Sequence, residues 1–131
     1  MVAYSFQKRF ADDVAHLRKR QTIRAHRKRH ARPGEPIQLF TGMRTKHCRK
    51  LVSPDPICLS VEPIDLLIVG PDMGIDVRLP EGSKDDWFRA GDKFAAADGF
   101  ESEGDMVEFW IEHHPGRMEF SGVLIKWEVP Q

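Results

Sequence analysis

Cysteine is scarce. Cys48 and Cys58 are the only two in 131 residues, too few for a disulfide framework, so a reduced chain is expected, with one optional bridge between them. Long apolar runs are missing as well. The longest, around Leu66 to Val69, falls far short of the ~20 residues a spanning helix needs. The N-terminus has no apolar leader: Lys8 and Arg9 are followed by Asp12 and Asp13. The expectation is a cytoplasmic protein without membrane contact. The chain shows no internal repeat and no low-complexity stretch. With 40% apolar and 31% charged residues, composition excludes a disordered or fibrous chain. The length suits one domain over residues 1–131.

Net charge is also absent, but only in sum. Residues 1–50 hold fourteen Lys and Arg against three acids, a balance of +11; residues 51–131 hold six against seventeen, a balance of −11. Such asymmetry points to a polyanionic partner for the basic half or to charge balance within the chain. The densest cluster runs from Arg18 to His30. Guanidinium and ammonium groups at this density suit phosphate, with Arg27 and Arg29 as candidate contacts.

The rest of the chain reads as short strands around a few helices. Val2 to Phe6 suits a strand. Phe10, Val14 and Leu17 recur at helical spacing and predict a helix from about Gln7 to Lys19. Pro33-Gly34 marks a turn before a strand at Ile37 to Phe40, and Thr41-Gly42 marks the next. In Met43 to Lys50, basic residues alternate with others; as a strand it would put Arg44, Lys46 and Cys48 on one face and widen a phosphate surface together with Arg49. Cys48 is expected to be packed. Ile57 to Val61 and Leu66 to Val69 read as two strands able to pair, Asp76 to Leu79 as another, and Glu81 to Lys84 as a loop. Gly99 stops a short helix. Ser102 starts a second, with Asp105 three residues on and Met106, Phe109 and Trp110 as its apolar stripe. Phe120 to Val129 closes the chain as a strand. The fold class is α+β, a small barrel with flanking helices.

Three residues in the basic half have chemical potential. If Thr22-Ile23-Arg24 is extended, Thr22 and Arg24 share a face pointing outward while Ile23 points inward, and Lys19 sits one turn back. A desolvated lysine flanked by Arg18 and Arg20 has its pKa lowered and can take a hydroxyl proton, so Lys19 and Thr22 have the makings of a base and a nucleophile. Lys and Thr are common neighbours, so spacing alone leaves an ordinary structural role open. His26 and His30 could serve as an acid–base pair for RNA cleavage if their segment is helical, or stand as solvated surface groups. Trp87 and Phe88 could stack a base or belong to the core; Trp110 and Trp127 read as core. His47, Cys48, Cys58 and His113 or His114 match no common zinc spacing, so neither a metal nor another cofactor is expected.

The run from Phe10 through Val14 and from Arg18 to Arg24, then Gly34 and Gln38 to Gly42, resembles the activating-signal-cointegrator homology (ASCH) family. So do Cys48-Arg49, Asp98-Gly99-Phe100, Met106, Phe109 and Trp127. The resemblance covers most of the chain and is most specific over residues 19–24 and 94–109. It implies a PUA-like β-barrel with a cleft that binds RNA or modified nucleosides. One bacterial branch hydrolyses N4-acetylcytidine to cytidine and acetate with a Lys, a Thr three residues later and a Glu further on. The resemblance puts Lys19 and Thr22 in the first two roles and Asp98, one methylene shorter than Glu, near the third, with Arg24 closing the basic motif. Thr22 would then attack the acyl carbonyl, Lys19 act as base, Asp98 orient Lys19 or meet the base edge, and Arg24 or backbone N–H groups hold the oxyanion. The expected function is binding of RNA or a modified nucleoside, with hydrolysis of an N4-acylated cytidine amide. The alternatives are a non-catalytic RNA-binding module and a ribonuclease for single-stranded RNA.

Overall fold

The computed structural model describes residues 2–70, 74–79 and 86–129; the loop expected at 81–84 lies outside them. In chain order the elements are β1 (Val2–Phe6), α1 (Lys8–Ala15), β2 (Gln21–Ala25), β3 (Ile37–Thr41), β4 (Arg49–Lys50), β5 (Ile57–Gly70), β6 (Gly74–Arg78), β7 (Phe88–Arg89), α2 (Gly91–Ala97), α3 (Glu103–His113) and β8 (Glu119–Glu128). The domain is mixed α+β, as composition and pattern suggest.

Strand pairing departs from a closed barrel. Among the described residues the strands form two sheets, ordered β1-β3-β4 and β2-β8-β5-β6-β7. One seam between them is stitched by backbone: Pro36 bridges Ile57, and Cys58 N donates to Glu35 O at 2.8 Å. At the other seam β1 and β2 are both edge strands and do not pair. Arginine side chains span that gap instead. Arg24 Nη2 donates to Ser5 O at 2.8 Å and Arg27 Nη2 to Ala3 O at 3.4 Å. The seam is therefore too wide for a backbone ladder.

β8 lies between β2 and β5 and is covered on both faces. Val123, Leu124, Ile125 and Trp127 are all buried, where strict alternation would have exposed Leu124. Gly122 has a steric reason: a Cβ there would lie 2.2 Å from Arg24 O on the paired strand. The two runs expected to pair with each other are one strand, β5, continuous through Pro63. Pro63 is tolerated because β6 pairs β5 only from Asp65 onward, leaving β5 a single neighbour at Pro63. The segment read as a basic strand, Met43 to Lys50, forms turns and reaches strand geometry only at Arg49–Lys50. Gly42 at φ 66° sets the first turn, where a Cβ would meet His47 O at 2.8 Å. Cys48 is exposed there rather than packed, while Cys58 is buried; both are free thiols.

The core joins Tyr4, Ile37, Leu39, Leu66, Ile75, Ile125 and Trp127, each 1% exposed or less. Full burial of such an aliphatic side chain contributes about 1.5–3 kcal/mol. α1 packs on β1 and β3, α2 on α3, and α3 on β5 and β6. Ser102 caps α3, its Oγ accepting from Asp105 N at 3.1 Å, as the sequence pattern implied. No helix among the described residues is long and apolar enough to cross a membrane.

Candidate functional site

Two helix ends bring the site together. The helix predicted to run to Lys19 stops at Ala15, because Leu17 adopts φ 65°. Arg18 N then bonds Asp13 O at 2.8 Å and Leu17 N bonds Val14 O at 3.2 Å, the paired bonds of a Schellman ending. Leu17 takes the left-handed position usually left to glycine, and it packs against the core. This turn sends Lys19 inward instead of leaving it on the helix surface. α2 ends the same way, with Gly99 at φ 93°, Phe100 N bonded to Ala95 O at 2.9 Å and Gly99 N to Ala96 O at 3.0 Å. That ending sets Asp98 at the helix C-cap, facing Lys19.

Lys19 Nζ donates to Asp98 Oδ1 at 3.1 Å and to the Asp98 backbone oxygen at 2.5 Å, across 79 residues of sequence. Lys19 is 3% exposed and Asp98 4%. Burial pushes the lysine below its ordinary pKa against the opposing pull of Asp98; of the cations it is Arg24, not Arg18 or Arg20, that adds to the fall. Burial likewise pushes Asp98 up, against Lys19, Gln21 and Arg24. Both shifts favour neutral forms. The Gln21 side chain thus helps to hold the carboxylate charged, although its Nε2 is buried without a hydrogen bond of ordinary geometry.

Close packing fixes the pair. A Cβ at Gly99 would sit 2.8 Å from Lys19 Cδ and 3.0 Å from Phe10 Cδ1. Gly99→Ala is therefore expected to cost about 1–3 kcal/mol, from both the positive φ and the overpacking. A urea unfolding midpoint within error of the parent's would show that Lys19 is not held there.

Above the pair opens a cavity of about 190 Å³ at the seam between β1 and β2. Lys19, Thr22, Arg24 and Asp98 line it with Ser5 and Gln7, and Phe6, Phe10, Phe100 and Phe109 supply aromatic wall. Thr22 and Arg24 share a face, as extended geometry requires, but that face is turned to the cavity rather than to solvent, and Thr22 is buried. Ile23 also lines the cavity and is only partly buried. Arg24 Nε donates to Thr22 Oγ1 at 3.0 Å, and its guanidinium lies 4.8 Å from the Phe6 ring centre. Burial, then the charge of Arg27, draws Arg24 down to about 10, which leaves it protonated at neutral pH. Lys19 Nζ lies 5.1 Å from the Phe10 ring centre. No hydrogen bond joins Lys19 to Thr22: the lysine is held by Asp98, and the hydroxyl oxygen by Arg24.

The other expected contacts are dispersed. Arg27 lies over the Tyr4 ring and donates from Nε to Arg29 O; Arg29 is paired with Glu35 at 2.6 Å. Both brace the segment after β2 rather than line the cavity. Arg44 and Lys46 are exposed on the turn segment, and Arg49 lines a second cavity. His26 and His30 lie outside any helix. Both His30 ring nitrogens are engaged, by Tyr4 Oη at 3.0 Å and Ala25 O at 2.9 Å, and burial draws its pKa down. The helical spacing on which an acid–base pair of His26 and His30 depends is therefore absent. Trp87 and Phe88 do not line the cavity either; Trp87 sits under Arg78, and Phe88 is exposed.

The sequence reading missed the aromatic wall, Ser5, Gln7 and Gln21. Phe10 and Phe109 read as core periodicity and Phe100 only as part of the Asp98-Gly99-Phe100 element, and it is the packing of α1 against the α2–α3 corner that makes them one cavity wall. Among the described residues no three His, Cys, Asp or Glu side chains gather as a metal site. No family model, curated protein or solved structure matches this chain.

Proposed function

We propose that the chain is a PUA-like domain of the ASCH kind whose cavity binds a modified nucleoside, free or within RNA, and hydrolyses the amide of an N4-acylated cytidine. One observation carries the reading. Lys19, Thr22, Arg24 and Asp98, from two distant parts of the chain, converge on one aromatic-walled cavity. Its volume of about 190 Å³ lies below the ~300–1,000 Å³ of drug-sized sites and suits a nucleobase. Phe6 and Phe10 supply apolar wall beside a flat ring, with Arg24 and Lys19 lying over them, and the buried polar pair offers donors and acceptors to its edge.

The chemistry follows from the groups present. Thr22 Oγ attacks the acyl carbonyl carbon, and its proton passes to Lys19, which acts as base once its own proton has moved to Asp98, a transfer that burial of the pair favours. The guanidinium of Arg24, already on Thr22 Oγ1, stabilises the oxyanion. Collapse breaks the amide C–N bond and returns the proton from Lys19 to the departing exocyclic amine. Water then hydrolyses the Thr22 ester, releasing acetate and restoring the hydroxyl. Asp98 holds Lys19 in place before substrate enters. Lys19 must swing from Asp98 toward Thr22 when substrate enters; unliganded sites often show such catalytic bonds long or unmade.

The Arg24–Thr22 bond and the missing Lys19–Thr22 contact favour a second reading, binding without turnover. Incubation with N4-acetylcytidine separates the two. Acetate release that disappears in Lys19→Ala is the expected result. Binding without acetate selects the second reading, and neither binding nor acetate overturns both.

A further inference from the structure

A second, larger cavity of about 660 Å³ adjoins the first, and Phe6 and Gln7 line both. Its remaining walls come from α1 (Lys8, Ala11), the end of β3 and the turn segment that carries His47 and Arg49. The floor is apolar, with Phe6 and Ala11 buried. The rim is cationic: Lys8 and Arg49 are exposed on it, and Arg44 and Lys46 stand on the adjoining turns. Among the described residues none of these four has an acidic partner, whereas Arg9, Arg18, Arg29, Lys50 and Arg89 each hold one. The turn at Gly42 folds the segment back so that His47 and Arg49 face α1 across the cavity. An apolar floor under an unpaired cationic rim fits a ligand with a flat body and an anionic end.

We propose that this second cavity takes the nucleotide next to the one in the first, so that the ligand is a ribonucleotide chain rather than a free nucleoside. The inference rests on the reading that the first cavity holds a base. Phe6 and Gln7 then form a divider between two consecutive nucleotides, and Lys8 and Arg49 hold the phosphate that joins or follows them. His47 supplies a further polar edge.

The test compares dissociation constants of the full chain for N4-acetylcytidine, its 5′- and 3′-monophosphates, and a trinucleotide with a central N4-acetylcytidine. Tryptophan fluorescence after rapid mixing serves as readout, since Trp110 lines the first cavity. The trinucleotide is expected to bind at least about tenfold tighter than the nucleoside. Lys8→Glu with Arg49→Glu is expected to remove that advantage and to lower the slope of log affinity against log salt by about 0.7 for each lost phosphate contact. A thermal melt checks that the double variant is folded; both positions are exposed. Equal affinity for nucleoside and trinucleotide overturns the inference. So does a monophosphate that recovers the whole gain, which would make the cavity a phosphate site only, and so does an advantage that survives both substitutions. The two levels fail differently. If Lys19→Ala leaves nucleoside binding unchanged, the first-cavity reading falls and this one with it. If nucleoside binding needs Lys19 but the trinucleotide adds nothing, only this inference falls.

Discussion

Lys19→Met is expected to destabilise the fold by about 3–5 kcal/mol, a large share of the ~5–15 kcal/mol that holds a domain together. Methionine preserves most of the volume and removes the charge. What remains is the Asp98 carboxylate, 4% exposed, with its main hydrogen-bond partner gone. The nearest cation left is Arg24, whose own bonds run to Thr22 and Ser5. The sign of the pH dependence follows. Asp98 already has a raised pKa in the fold, and losing Lys19 raises it further. A carboxyl group raised above its unfolded value of about 3.9 binds more protons folded than unfolded, so stability rises as pH falls toward that value. Lys19→Met should therefore regain stability on acidification from neutral pH, with the urea midpoint as the measure. The double variant Lys19→Met, Asp98→Leu removes both charges and should return to within about 1–2 kcal/mol of the parent, since an apolar pair can replace a buried ion pair at little cost. A double variant as unstable as the single one would show that the loss came from packing and not from an unpaired charge. A double variant near the parent's stability would show that the ion pair adds little net stability to the fold.

Much of this site was legible because its parts are local. Lys19, Thr22 and Arg24 lie within six residues, and extended geometry puts the last two on one face. Gly99 after a short apolar helix announced the ending that carries Asp98. Two things were not legible. Leu17 does what a glycine usually does, so the helix appeared to run on to Lys19, and the inward turn of that residue was hidden. The opening between β1 and β2 depends on Arg24 and Arg27 reaching across to carbonyls of a strand some twenty residues earlier. No periodicity records that, and a barrel was the simpler expectation.

The charge asymmetry also resolves into contacts. Arg9–Asp105, Lys19–Asp98 and Lys50–Asp55 join the basic half to the acidic half. Arg18–Asp13 and Arg29–Glu35 are settled within the basic half. Among the described residues Lys8, Arg44, Lys46 and Arg49, at or beside the second cavity, are left without an acidic partner, and so are Arg20, Lys28 and Arg32 in and after the dense run. A run of charge in sequence says little about which charges are already neutralised by the fold.

Thr22→Ala decides whether the first cavity does chemistry, and its expected effect is the largest of all. Thr22 sits in register opposite Ile125 on β8, and its backbone is held by that ladder, so the substitution leaves the strand in place. It removes the hydroxyl and frees Arg24 Nε, a loss of about 1 kcal/mol of stability. If Thr22 is the nucleophile, acetate release from N4-acetylcytidine should fall at least about 10³-fold in kcat, because loss of a nucleophile removes the covalent route entirely. KM should change little, since the aromatic wall and the Lys19–Asp98 pair remain. Thr22→Ser, which keeps an oxygen within reach of Arg24, should retain activity to within about tenfold. The contrast between Ala and Ser carries the test, for a structural role would let both substitutions act through stability alone and leave kcat per folded molecule unchanged. Wild-type turnover that Thr22→Ala keeps would mean that water attacks directly, with Lys19 as its base and Thr22 only a positioning residue for Arg24.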